Sequence, residues 1–215
     1  MDQSDRVSSI VLLSGGLDSS VAWAMEDGEK EALFVDYGQR NASQEWKCAQ
    51  LQTKGSKLRF TLVDWPLMAG LLKEVPLDRG WSAQDGKIAP TYLPGRNAVF
   101  LSLAWGLAQQ LGATKIVIGA NRHDYDGYPD CRPKFFEAFQ AMTQTIYPVS
   151  IGLPLITKSK SDIICIGKEL GVDLDATWSC YLGGEKPCGR CDACFLRANG
   201  FEQAKSREQP ERKGV

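Results

Sequence analysis

The stretch Ser9-Ile10-Val11-Leu12-Leu13-Ser14-Gly15-Gly16 constrains the fold more than any other part of the chain. Its apolar run reads as a buried strand, and it breaks at two glycines just before a helical pattern from Asp18 to about Met25. The same alternation then repeats. Residues 32–36 and 59–63 read as strands, 42–54 as the helix between them, 116–118 as a fourth strand and a short stretch near Val149 as a fifth. Further helices are expected from Asn97 to Leu111, over 132–146 and over 159–170. In the first, Val99, Phe100, Leu103, Ala104, Leu107, Ala108 and Leu111 fall on one face, with Asn97 placed as N-cap and Gly112 as the stop. The expected fold class is α/β, a mostly parallel sheet with helices on both faces.

A chain of 215 residues with 43% apolar content supports one large domain, or one domain and a small appendage, without disulfide staples. Between 76 and 97 the sequence holds Pro76, Gly80, Gly86, Pro90, Pro94 and Gly95, which predicts a long loop; loops of that length are more often functional than idle. The last eleven residues carry six charges and no large apolar residue except Val215, so 205–215 is expected to be a disordered tail. The net charge of -1, from 25 basic and 26 acidic residues, argues against a dedicated binder of duplex DNA or anionic membrane. The first residues lack an export signal, and the longest mostly apolar stretch, 98–108, is too short to span a bilayer. The expected compartment is therefore the cytoplasm, where thiols stay reduced.

The loop Ser14-Gly15-Gly16-Leu17-Asp18-Ser19-Ser20 lies between a strand and a helix, where backbone N–H groups and the helix dipole favour an anion. Glycines permit close approach to phosphate oxygens, and three hydroxyls add donors. No Gly-Lys-Ser/Thr follows, so terminal-phosphate transfer of the Walker type is not expected. Asp18 would repel a phosphate unless Mg²⁺ bridged them; the alternative is that Asp18 and Ser19 simply cap the helix. The loop resembles the signature of the N-type ATP pyrophosphatases. That resemblance implies a Rossmann-like sheet and a pyrophosphate cradle formed by Leu13 through Ser20. It also implies that adenine lies near Val35, Asp36 and Tyr37, and that a substrate oxygen attacks the α-phosphate.

Two further clusters carry chemistry. The run from His123 to Arg132 gathers Asp124, Asp126, Asp130, two tyrosines and Arg132 after a strand end, where open α/β sheets bind ligands. A carboxylate there can accept from the N–H donors of a guanine-like base, Tyr128 offers a stacking face, and Arg132 can meet an anion. A solvated turn is the plainer reading, and the residue reading the base stays open. His123 is the one histidine and is not taken as a base. Arg96 and Asn97 can reach the same mouth from the long loop. Lys160 stands at the start of the 159–170 helix and is either functional or a surface lysine. The spacing Cys180-x₇-Cys188-x₂-Cys191-x₂-Cys194 fits four thiolates on one tetrahedral Zn²⁺, a closed and therefore structural site. An iron–sulfur cluster is the competing reading, but the Cys-Pro that would continue such a run is absent after Cys194.

The segments Asp36-Tyr37-Gly38-Gln39-Arg40, Pro94-Gly95-Arg96-Asn97, Gly127-Tyr128-Pro129-Asp130-Cys131-Arg132 and Ser179-Cys180-Tyr181 resemble the 7-cyano-7-deazaguanine synthase (QueC) family. So does the ending Cys188-Gly-Arg-Cys191-Asp-Ala-Cys194-Phe-Leu-Arg197, and the likeness runs from about Ser9 to Phe201. It implies a ligase that joins 7-carboxy-7-deazaguanine and ammonia with ATP and Mg²⁺, through adenylated acid and amide, in queuosine biosynthesis. Asp18, Lys160 and Arg96 would be catalytic. Tyr37, Gln39, Arg96, Asn97, Asp124, Tyr128, Asp130 and Arg132 would bind substrate, and one structural zinc would sit on the four cysteines. The implied organisation is an ATP-pyrophosphatase-type domain over 1–175, a zinc segment over 176–204 and the tail, in a homodimer with no nucleic-acid or membrane partner. The alternatives are another adenylating enzyme of this fold, such as a tRNA thiolase or a deazaguanine–amine coupling enzyme, and a non-enzymatic zinc module.

Overall fold

The computed structural model describes residues 7–64, 88–125 and 127–208. The expected loop therefore lies partly outside the described residues, as do 209–215 of the expected tail. Five parallel strands form one sheet in the order β3-β2-β1-β4-β5: β1 Ser9–Leu12, β2 Lys30–Asp36, β3 Leu58–Leu62, β4 Lys115–Val117 and β5 Ser150–Gly152. The helices are α1 Leu17–Met25, α2 Ala42–Thr53, α3 Arg96–Leu111, α4 Pro133–Thr143, α5 Lys160–Glu169 and α6 Asp192–Glu208. This is the Rossmann-like α/β architecture expected.

Its central strands are buried on both faces, which is why they read as continuous apolar runs rather than alternating ones. Val11, Ala32, Phe34 and Val117 point to a core shared with α1, α5 and Ala204 of α6. Their neighbours Ile10, Leu12, Leu33, Val35 and Ile116 point to the opposite core, under Leu101 and Ala104 of α3 and Phe136 of α4. The register places β1 between β2 and β4, so the chain reverses its direction of travel across the sheet beside β1. A crevice opens at the carboxyl ends of strands at such a point.

Three expectations need correction. Asn97 does not cap α3: Gly95 is the N-cap, with φ 77°, and Asn97 lies inside the first turn. The most buried line of that helix is Asn97, Leu101, Ala104 and Ala108, with Phe100, Leu103 and Leu107 flanking it. The stretch 205–208 is not a disordered tail but the end of α6. Nor is 176–204 a separate appendage, because Ala204 is fully buried in the main core and α6 packs on α5. That contact is close: a Cβ on Gly200 would lie 2.6 Å from Lys160 Cγ and 3.0 Å from Ile164 Cδ1. By contrast, α5 starts where Ser159 suggests, with Ser159 and Asp162 closing a reciprocal capping box.

Candidate active site and cysteine cluster

The glycine-rich loop after β1 is held from beneath. Gly15 adopts φ +72°, and a Cβ there would fall 2.3 Å from Glu45 O and 2.5 Å from Ala49 N, so the loop lies directly on α2. The Trp178 N–H donates to Gly15 O at 3.0 Å, pinning the loop from the C-terminal segment. From the other side Gly119, just past β4, sits where a Cβ would be 3.0 Å from the Asp18 and Ser19 backbone. Gly16 is the N-cap of α1 and no side chain caps it. Ser14 N donates to Ser19 Oγ at 3.2 Å, the two hydroxyls lie 3.0 Å apart, and Ser19 Oγ also donates to Gly16 O at 3.1 Å. Ser20 turns its hydroxyl back to Gly16 O at 2.8 Å.

Asp18 is not a cap either. Its carboxylate receives Lys160 Nζ at 2.7 and 2.6 Å and Asn121 Nδ2 at 3.0 Å, joining α1, α5 and the turn after β4. Asn121 also forms a capping box with Asp124. Burial, then the nearby Asp18 charge, pushes the Asp124 carboxyl up to about 6.

A cavity of about 370 Å³ opens over this loop, at the carboxyl ends of the strands. Its walls include Leu13, Ser14, Gly16, Leu17, Asp18, Ser19 and Lys160, then Val35, Tyr37 and Gln39 from the end of β2, and also Arg96, Asn97, Asp124 and Tyr128. Of the expected site residues, Gly15, Ser20, Asp130 and Arg132 do not line it. Asp130 lies behind the wall, its Oδ2 accepting from Asn97 N at 3.1 Å while Asn97 Nδ2 donates to Asp130 O and to Cys131 Sγ. Its Oδ1 is buried without a partner among the described residues. Arg132 Nε donates to Tyr125 O at 2.9 Å. Gln39 lines the cavity, yet its amide is committed: it accepts from Tyr37 N and donates to Val35 O and Glu45 Oε2.

Arg96 faces Tyr37, with Nη1 3.5 Å from the phenol oxygen and the guanidinium 6.0 Å from the ring. Burial would lower its pKa, but Tyr37, Cys131 and Asp130 outweigh burial and keep it above the ordinary value. Tyr128 shares hydrogen bonds with Thr91 and Tyr181.

Sequence reasoning missed Glu45, Asn121, Gly119, Tyr181 and Arg197 as parts of this site. Glu45 accepts from Gln39 at 3.0 Å and from Asn41 Nδ2 at 2.9 Å, and burial pushes its carboxyl up to about 7. Only a lone acid in the helical pattern marked it. Tyr181 and Arg197 stood in quoted motifs but seemed to belong to the metal segment, whereas both line the cavity.

The cysteines of that segment do converge. The Sγ atoms of Cys180, Cys188, Cys191 and Cys194 all lie within 4.8 Å of one another. Tetrahedral Zn–S bonds of about 2.3 Å would bring the sulfurs about 3.8 Å apart, a modest contraction. Backbone N–H groups of Leu182 and Cys188 point at Cys180 Sγ at 3.4 and 3.3 Å, and Cys191 N at Cys188 Sγ at 3.4 Å, donors that suit thiolate charge. The cluster fits a closed four-thiolate metal site, and no carboxylate or histidine joins it among the described residues.

A parallel sheet with an anion-binding loop at its switch point is the frame of a nucleotide-binding α/β enzyme. The family model for "Queuosine biosynthesis protein QueC" matches residues 8–205, and the chain belongs to that family. The 7-cyano-7-deazaguanine synthase of Thermoplasma acidophilum is 41% identical, over 96% of this chain and 92% of its own length. The proteins of that name from Acidobacterium capsulatum and Myxococcus xanthus are 40% and 41% identical, over 93% and 91% of this chain and 93% of each relative. Among solved structures, the NMN synthetase from Francisella tularensis superposes with a TM-score of 0.52 at 17% identity, covering 98% of this chain and 88% of that one. That likeness establishes a shared fold.

Proposed function

We propose that the chain is an ATP-dependent carbon–nitrogen ligase that converts 7-carboxy-7-deazaguanine and ammonia to 7-cyano-7-deazaguanine in queuosine biosynthesis. The observation that carries the reading is family membership across almost the whole chain, and the cavity between the loop and Arg96 is consistent with it. A carboxylate is a poor electrophile because its oxygen leaves badly. Attack by that oxygen on the α-phosphate of ATP releases diphosphate and makes AMP the leaving group; ammonia then displaces AMP and gives the amide. A second attack, by the amide oxygen on another ATP, followed by loss of AMP and protons, gives the nitrile. Two ATP become two AMP and two diphosphates.

In this reading Ser14, Gly16 and the start of α1 hold the departing diphosphate, and Val35 and Tyr37 flank the adenine. Lys160 supplies positive charge beside the loop, and Arg96 meets the substrate carboxylate. Asp124, Tyr128 and Tyr181 face the base. Asp130 and Arg132 act indirectly, by holding Asn97 and the Tyr125 carbonyl, and Gln39 by orienting Tyr37. The hard oxygens of Asp18 and Asp124 suit Mg²⁺, although Lys160 already neutralises Asp18; when bound, the ion would screen phosphate charge. Cys180, Cys188, Cys191 and Cys194 would hold one structural Zn²⁺.

A thiol-transfer chemistry through Cys131 is disfavoured, because burial pushes that thiol well above its ordinary value while Asn97 donates to its sulfur. The near-neutral charge supports a reaction on the free base rather than on RNA. Free cysteines among the described residues support a cytoplasmic setting, and no described helix is long and apolar enough to cross a membrane. The family resemblance is what supports a homodimer. The test is mass spectrometry of one incubation with the acid, ATP, Mg²⁺ and ammonium. The nitrile should form and should vanish when ammonium is omitted. A product that never gains nitrogen would refute the reading.

A further inference from the structure

We propose that Arg197, on the helix that follows the cysteine cluster, is a binding residue for the diphosphate portion of ATP. This deepens the proposed reaction and rests on the cleavage of ATP to AMP and diphosphate. Arg197 lies one turn beyond Cys194 on α6, and its side chain lines the same cavity as Ser14 and Asp18. Nη1 donates to Thr177 Oγ1 at 2.6 Å and Ser179 Oγ at 3.3 Å, and Nη2 donates to Leu174 O at 2.6 Å. These three acceptors are neutral. They fix the guanidinium without discharging it, and the remaining two of its five N–H groups have no partner among the described residues.

No described carboxylate pairs with Arg197; burial lowers its pKa, and Asp175, Cys48, Cys194 and Asp18 act on it without forming an ion pair. The guanidinium also lies 5.2 Å from the Phe201 ring, and a half-buried cation held by neutral acceptors and a ring face, with no carboxylate to discharge it, is a pre-oriented anion site. Its tether also says which anion. Trp178, between the two tethering hydroxyls, donates its N–H to Gly15 O at 3.0 Å, and its carbonyl would stand 3.4 Å from a Cβ on Gly16. The segment that holds Arg197 therefore rests on the glycine loop, whereas Arg96 stands beside Tyr37, just past the end of β2. Two arginines of one cavity, one tethered to the glycine loop and one beside Tyr37, divide the two anions between them: the phosphates to Arg197 and the substrate carboxylate to Arg96.

Calorimetric titration of wild type, Arg197→Lys and Arg197→Gln with inorganic pyrophosphate, ATP, AMP and 7-carboxy-7-deazaguanine tests this, with Mg²⁺ present. Pyrophosphate and ATP should bind at least about tenfold more weakly to Arg197→Gln, with AMP and the acid within about twofold, and Lys should recover part of the loss. Equal losses for AMP, or a loss confined to the acid, would overturn the assignment. Metal content and thermal midpoint report whether each variant is folded. Should both variants misfold, phenylglyoxal modification of wild type gives the answer by peptide mapping: pyrophosphate should protect Arg197 and AMP should not, and equal protection by both overturns the proposal. Product analysis of the wild type tests the underlying reading separately. ADP there defeats both, whereas AMP together with unchanged pyrophosphate affinity in the variants defeats only the role of Arg197.

Discussion

Asp18 and Glu45 are two acids of one cavity with opposite electrostatic situations. Asp18 is ion-paired with Lys160 and stapled to Asn121, so its job is to hold Lys160 in place at the mouth of the loop. Replacing it with Asn keeps the size but removes the charge that orients Lys160. Asp18→Asn should lose at least about a hundredfold in kcat, while circular dichroism and metal content stay at wild-type values. Glu45 has a carboxyl raised to about 7, above the 4.5 of an unperturbed glutamate. A folded-state pKa above the unfolded one means ionisation costs stability: the contribution is full below about 4.5 and is lost as pH rises through 7. Glu45→Gln carries no such titration. Its thermal midpoint relative to wild type should therefore climb between pH 5 and pH 8, approximate limits set by that window; a constant difference would show that Glu45 titrates normally.

The elements that build the site were legible to different degrees. Continuous apolar runs exposed β1 and β2, and the Ser159–Asp162 pair marked the start of α5, because those signals are local. The loop glycines were legible as glycines but not in their separate duties. Gly15 serves packing on α2, and Ser20 serves the helix backbone, whereas Ser14 and Gly16 face the cavity. The partners of Asp18 were not readable, since Asn121 and Lys160 stand 103 and 142 residues away and only sheet order brings them together. Gly15→Ala would press a methyl group onto α2 backbone at a left-handed φ. It should cost about 2–4 kcal/mol, read as a lower urea midpoint, and weaken ATP binding; a neutral effect would mean the loop stands clear of α2.

Across the whole molecule, the C-terminal segment changes most from what its sequence suggests. Four clustered cysteines and a charged end look like an appendage, but α6 completes the main core through Ala204 and backs Lys160 through Gly200. Its polar face conceals this: the buried residues Cys194, Gly200 and Ala204 are small and form no apolar stripe to read. The cysteine cluster therefore fastens a wall of the cavity as well as itself. Cys191→Ser, or a strong chelator, should lower the thermal midpoint by roughly 5 °C or more and weaken nucleotide binding together with it. Nucleotide affinity that survives metal loss intact would uncouple the two.

The reaction itself is tested most directly by following oxygen. The two-adenylation route predicts that 7-carboxy-7-deazaguanine labelled with ¹⁸O at both carboxylate positions yields unlabelled nitrile and two AMP molecules, each carrying one ¹⁸O, with none in diphosphate. Label in inorganic phosphate, or ADP as the nucleotide product, would contradict it.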